Sequence, residues 1–193
     1  MSVNFSIKPF DELSPVDVYY ILHARSQVFV VEQHCVYQDI DELDFDCQHL
    51  VIHKSRSLIG YCRILPPDVV VNNSSYPHIG RVLVLPEHRG KGLARQMMTR
   101  AIKFCYSTYG KHPIQISAQT YLIDFYQSLG FEAISEPYLE DGLEHIDMLL
   151  PKPKSKLPAL GTMKPNLSVK NVIINVLLLL LAVMIIGMLY LLI

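Results

Sequence analysis

Leu93, Met97, Ala101 and Cys105 recur every four residues, with Met98, Ile102 and Tyr109 on adjoining positions, until Gly110 supplies a stop. Residues four apart share one face of a helix, so this spacing predicts an amphipathic helix. Ile114-Gln115-Ile116-Ser117-Ala118 alternates instead and predicts a strand. Ile79 to Leu85, closed by Pro86, predicts a buried central strand. Leu50 to Ile52 and Leu58 to Leu65 flank the polar Lys54-Ser55-Arg56-Ser57, which is the pattern of a hairpin. A helix start is written in Ser14-Pro15-Val16-Asp17: Ser14 can cap, Pro15 suits the first helical position and Asp17 completes a capping-box spacing. That helix is expected to run to about Val30. Thr120 to Ser128 reads as a short helix ended by Gly130, and Phe131 to Ile134 and His145 to Leu150 as two closing strands. The expected order is β-α-β-β-β-α-β-α-β-β, an α/β (α+β) domain over residues 1–150.

Beyond that domain the pattern changes. Val172 to Ile193 is a run of 22 residues, of which 20 are apolar and none charged; Asn175 and Gly187 are the exceptions. A helix of that length reaches about 33 Å, against a hydrocarbon core of about 30 Å, which predicts a transmembrane helix at 172–193. Residues 151–171, with Pro151, Pro153, Pro158 and Pro165, read as a Pro/Lys-rich linker. All 18 acidic residues precede residue 148, and residues 1–150 carry net charge −6, the wrong sign for nucleic acid. Lys152, Lys154, Lys156, Lys164 and Lys170 stand before the span without a carboxylate among them, which favours a cytoplasmic flank. With no residue after Ile193, the expectation is a single-pass tail anchor. Met1 to Ser14 lacks the basic and apolar regions of a secretory signal, so the domain is expected to face the cytoplasm.

In that compartment Cys35, Cys47, Cys62 and Cys105 are expected to be free thiols. Cys35, Cys47, His49 and His53 lack the paired close spacing of a zinc site, so no metal is expected.

Between the central strand and the long helix stands Arg89-Gly90-Lys91-Gly92-Leu93-Ala94. Two glycines let backbone N–H groups turn inward, and the helix start adds partial positive charge, so the segment predicts an anion site. It is neither a P-loop nor a dinucleotide fingerprint. The six residues match the R/Q-x-x-G-x-G/A signature of the GNAT superfamily of N-acetyltransferases. Phe125-Tyr126-Gln127-Ser128-Leu129-Gly130-Phe131 resembles that family's F-Y-x-x-x-G-F element. A closer resemblance is to ElaA-type acetyltransferases. It rests on Arg25 with Val28 to Gln33, on Tyr37 to Asp41, Gly80-Arg81-Val82 and Gln119, and on Asp141-Gly142 with His145. It does not extend over 151–193.

The resemblance implies the GNAT fold, a mixed central sheet of six to seven strands flanked by helices, to which the C-terminal transmembrane helix is added. It implies an acyltransferase moving an acetyl group from acetyl-coenzyme A to an amine, without a covalent enzyme intermediate. Val82, Leu83 and Val84 would lie beside the pantetheine arm, and Arg89, Gly90, Lys91, Gly92, Leu93 and Ala94 would hold the pyrophosphate. Tyr126 would protonate the departing thiolate, and Glu32 is the candidate base or amine anchor. Gln33, Tyr37, Asp39 and Asp41 are the candidate acceptor residues. The last two belong to an acidic stretch that includes Glu42, Asp44 and Asp46 and would favour a cationic small-molecule amine. The expected partners are that amine and a membrane, and the sequence leaves the oligomeric state open. Two alternatives stand beside this reading: a tethered acyl-coenzyme A sensor without turnover, and an acyl-homoserine lactone synthase. The latter shares an R-x-x-V-F element but typically carries tryptophans, and this chain has none.

Overall fold

The capping box at the first helix forms as its spacing requires. Ser14 Oγ accepts from the Asp17 N–H at 3.1 Å, and the Asp17 carboxylate accepts from the Ser14 N–H at 3.2 Å. In the computed structural model, which describes residues 2–71 and 74–153, this cap starts α1 (Pro15–Arg25), which follows strand β1 (Val3–Pro9). The expected linker beyond residue 153 and the expected span at 172–193 lie outside the described residues. Among the described residues, no helix is long and apolar enough to cross a membrane.

Helix α1 does not end near Val30 in α geometry; it widens into a π-helical turn, Ser26–Glu32. The hairpin is β2 (Gln48–Lys54) and β3 (Ser57–Leu65), and the central strand is β4 (His78–Val84). Then come α2 (Leu93–Thr108), β5 (Ile114–Gln119), α3 (Ile123–Gln127), β6 (Glu132–Ala133), β7 (Tyr138–Glu140) and β8 (Leu143–Leu150). Met1–Pro153 forms one compact unit. Its sheet has eight strands rather than six or seven, in the order β1-β2-β3-β4-β5-β8-β6, with β7 paired to β8. The added strand is β7. Asp141 and Gly142, both with positive φ, turn it tightly into β8.

Side chains on a strand alternate between faces, and the core divides accordingly. Leu50 and Ile52 of β2 join Met97, Met98, Ala101 and Cys105 of α2 in one cluster. Val51 joins Ile21, Ala24 and Val28 of the first helix in the other. The sheet is thus covered on both faces.

Two irregularities in β4 position the site. Among the described residues its pairing with β5 is the one parallel ladder, and it consists of His78↔Gln115 alone, so the two strands part beyond that point. Against β3, the register passes from Tyr61↔Leu83 to Arg63↔Gly80, which inserts one extra residue into β4. At this bulge Arg81 takes φ +51°, a left-handed conformation costly for a side chain with a Cβ.

Candidate functional site

A cleft of about 670 Å³ occupies the opening between β4 and β5. It brings together Val82, Leu83, Val84, Arg89 and Ala94 with Glu32, Gln33, Tyr37 and Asp41, and adds Tyr126 from α3. Asp39 is not among its lining residues.

The cradle closes the end of β4. Gly90 and Gly92 have φ of +72° and +73°, and a Cβ built on either would meet nothing within 4 Å. Glycine is therefore required there by backbone conformation, and the space in front of it is open to a ligand. Gly92 is the N-cap of α2 and offers no side-chain cap, so the first N–H groups of the helix are free of a capping side chain. Leu93 is buried in the core cluster with Met97 and Ala101. Lys91 is exposed, and its Nζ donates to the Glu87 carbonyl at 2.8 Å.

Arg89, the first residue of the signature, is directed elsewhere. Its Nε donates to the Val84 carbonyl at 2.8 Å, and its two terminal nitrogens grip the Glu32 carboxylate at 2.6 and 2.9 Å. The hydrogen bond from Arg89 holds the Glu32 carboxyl below its ordinary range against a smaller opposing effect of burial. Both groups are more than a third exposed, so the pair contributes only about 0–1 kcal/mol to stability. Its consequence is geometric: it fixes the end of the π turn to the end of β4.

Tyr126 is 5% exposed and stacks edge-on against Phe125 and Phe131. Burial pushes its phenol well above the usual range, so it stays protonated at neutral pH. Gln33 exchanges amide hydrogen bonds with Gln119 at 3.1 and 3.3 Å, joining the π turn to β5. His145, on the cleft wall, has Nδ1 3.0 Å from the Leu143 carbonyl.

The acidic stretch behaves differently from its sequence expectation. Asp39 is 7% exposed; one carboxylate oxygen takes the Arg25 Nε at 2.8 Å, the other the Arg81 Nε at 2.7 Å and the Tyr37 hydroxyl at 2.8 Å. Asp41 is gripped by both terminal nitrogens of Arg63 and approached by Arg81 at 3.3 Å. Asp44 accepts from Arg25 at 2.6 Å. Burial works to raise the Asp41 carboxyl, but the hydrogen bonds and charge of Arg63, with Arg81 and Arg25, outweigh it and hold the group low. Asp39 and Asp41 are therefore internal counter-ions to three arginines rather than free anchors for a cation. Sequence reasoning missed this set because the arginines arrive from α1, β3 and β4.

Asp44, Cys47 and His49 place one ligand-type atom each within 4.8 Å of one another, a different group from the cysteine and histidine set considered in the sequence. Their bonding is internal to the fold: the Asp44 carboxylate pairs with Arg25 and Arg63. His49 Nδ1 lies 2.8 Å from the Tyr61 hydroxyl and Nε2 lies 2.9 Å from the Asp44 carbonyl. Burial pushes the Cys47 thiol up to about 12, away from the thiolate a metal would take.

Comparison with known proteins places this geometry in context. The acetyltransferase (GNAT) domain family model matches residues 11–151. The chain is 40% identical over 139 residues to Protein ElaA of Escherichia coli, a match that covers 71% of this chain and 89% of that protein. The crystal structure of an acyl-CoA N-acyltransferase from Pseudomonas aeruginosa superposes with a TM-score of 0.72 at 37% identity, covering 77% of this chain and 99% of that one. The structure of yncA from Salmonella typhimurium, solved with its cofactor acetyl-CoA, shares the fold, with a TM-score of 0.60 at 21% identity over 81% of this chain and 99% of that one.

Proposed function

The chain belongs to the acetyltransferase (GNAT) family of acyl-CoA N-acyltransferases, and from that premise we propose that it moves an acetyl group from acetyl-coenzyme A to a primary amine, both bound at once. The observation that carries this reading is the parting of β4 from β5 directly before an open, doubly left-handed glycine cradle at the start of α2. A pyrophosphate is the kind of group such a helix start attracts. The thioester supplies the acetyl group and a thiolate leaving group. Gly90 to Ala94 would hold the pyrophosphate, and Val82, Leu83 and Val84, which line the cleft, would lie along the pantetheine arm.

Attack by the neutral amine forms the C–N bond as the C–S bond breaks; the nitrogen sheds one proton and the thiolate takes one. Tyr126 supplies the thiolate's proton in this reading and takes back the proton that the nitrogen sheds; burial keeps the phenol protonated at neutral pH but makes it a weaker acid, so the return of that proton carries the transfer. Glu32, held low and gripped by Arg89, is poorly suited to act as a base and would anchor the amine only through the lone pairs that Arg89 leaves free. The acceptor is assigned as a primary amine, with Gln33 and Tyr37 on the cleft wall to contact it. The paired state of Asp39 and Asp41 removes the reason for requiring a cationic one.

The test is release of free thiol from acetyl-coenzyme A with a mixed panel of primary amines. Amine-dependent turnover is expected; stoichiometric binding without turnover would replace the enzyme with a sensor. In the same assay Tyr126→Phe keeps the ring and its packing and should lower kcat by roughly 10²-fold with little change in coenzyme affinity. A loss below about threefold would make Tyr126 a packing residue.

The second part of the proposal is that 172–193 spans a membrane and holds the domain at its cytoplasmic face. The uncharged apolar run and the five lysines before it support this. Full-length protein is expected to stay in the membrane pellet after alkaline carbonate washing. Release into the supernatant would overturn the anchor.

A further inference from the structure

The strained residue in β4 is an arginine where a bulge of this kind ordinarily carries glycine. Gly80 stands next to it, yet the positive φ falls on Arg81. A Cβ-bearing residue keeps such a conformation only where its surroundings over-determine it, and the surroundings of Arg81 do so. Its Nε donates to Asp39 Oδ1 at 2.7 Å. Its NH2 reaches the Asp39 carbonyl and Asp41 Oδ2, each at 3.3 Å, and the guanidinium lies over the Tyr37 ring at 5.6 Å. Asp39 is held in turn by fully buried Arg25, at the end of α1, through both its carboxylate and its carbonyl.

We propose that Arg81 is a positioning residue, a clasp through which Asp39 and Arg25 hold the β4 bulge in its left-handed form and so present the backbone of Val82 to Val84 to the pantetheine arm. The inference rests on the proposed acyl-coenzyme A reading of the cleft. It also gives the acidic stretch a role that its sequence position did not suggest: Asp39 orients the donor site through Arg81 and holds the Tyr37 hydroxyl on the same oxygen.

Glycine provides the test, because it adopts positive φ without strain and needs no clasp. Acetyl-coenzyme A affinity is measured by calorimetry on the full-length protein and on Arg81→Met and Arg81→Gly. Adenosine 3′-phosphate 5′-diphosphate, which lacks the pantetheine arm, serves as a probe of the cradle alone. Arg81→Met, strained and without its guanidinium, should weaken acetyl-coenzyme A binding by about tenfold and leave the fragment within about twofold. Arg81→Gly should return acetyl-coenzyme A to within about threefold of the parent protein.

Equal losses in both variants would mean that the guanidinium acts through its charge, and no loss in either would mean that the bulge needs no clasp; each overturns the proposal. If Arg81→Met does not fold, Arg81→Gly decides alone: folded and binding supports the clasp, unfolded overturns it. A parent protein that binds neither acetyl-coenzyme A nor the fragment would remove the acyl-coenzyme A reading itself, and the clasp with it. That result is distinct from tight binding that no Arg81 variant alters.

Discussion

Acetyl-coenzyme A binding should be lost in Gly92→Glu, with Kd rising by at least ~100-fold. Two effects combine. Position 92 has φ +73°, a conformation that a residue with a Cβ leaves in the free protein and must recover on binding at about 1 kcal/mol, although its Cβ meets no neighbour there. The carboxylate is then placed where the pyrophosphate must sit. Like charges about 4 Å apart repel by about 4 kcal/mol near a protein surface, and exposure to salt cuts this to roughly half. The sum of about 3 kcal/mol corresponds to about a hundredfold loss. Gly92→Ala separates the two effects: it carries the strain alone and should weaken binding only about fivefold. Calorimetry reads both, with circular dichroism to show that α2 survives. Unchanged affinity in a folded Gly92→Glu protein would remove the cradle from the site.

The same cradle shows how far a sequence can be read. Its two glycines stand in one hexapeptide at a strand-to-helix junction, and the strain that demands them is a property of that local chain. The capping box at Ser14, the hairpin and the buried face of α2 were legible for the same reason, since periodicities of two and 3.6 are set by near neighbours. Strand β7 was legible too, had Asp141-Gly142 been weighed as a tight-turn dipeptide. What escaped was non-local. Glu32 and Arg89 are 57 residues apart, and Arg63 grips Asp41 across 22. Asp39 and Asp41 look like a solvated charge run in sequence because their partners belong to other elements. The π turn and the left-handed Arg81 left no local signal, since both conformations are imposed by the groups packed around them.

Those packed arginines lead to the largest expected change in stability. Arg25→Met should destabilise the domain by about 3–5 kcal/mol, lowering its melting temperature by roughly 10 °C. Arg25 is fully buried and contacts Asp39 and Asp44, themselves 7% and 6% exposed, so its removal leaves two interior carboxylates each short of one cation, Asp39 keeping Arg81 and Asp44 keeping Arg63 at 3.3 Å. Methionine fills much of the volume, which makes the loss electrostatic rather than a cavity effect. Two consequences separate this from simple loss of packing. Adding Asp44→Asn to Arg25→Met removes one of those charges, and the double variant should be more stable than the sum of the single changes allows. The pH dependence should differ as well. In the parent protein the Asp41 carboxyl is held below its unfolded value by Arg63, Arg81 and Arg25, so the stability it contributes is present above about pH 4 and is lost as pH falls through the native pKa. In Arg25→Met the Asp41 carboxyl keeps Arg63 and Arg81 but loses the charge of Arg25, so it is held less low and less stability remains for acid to remove. The gap between parent and variant should therefore narrow as pH is lowered from about 5 towards 3. Denaturant melts across that range would show it, and a gap constant with pH would mean that Arg25 holds the fold by shape alone.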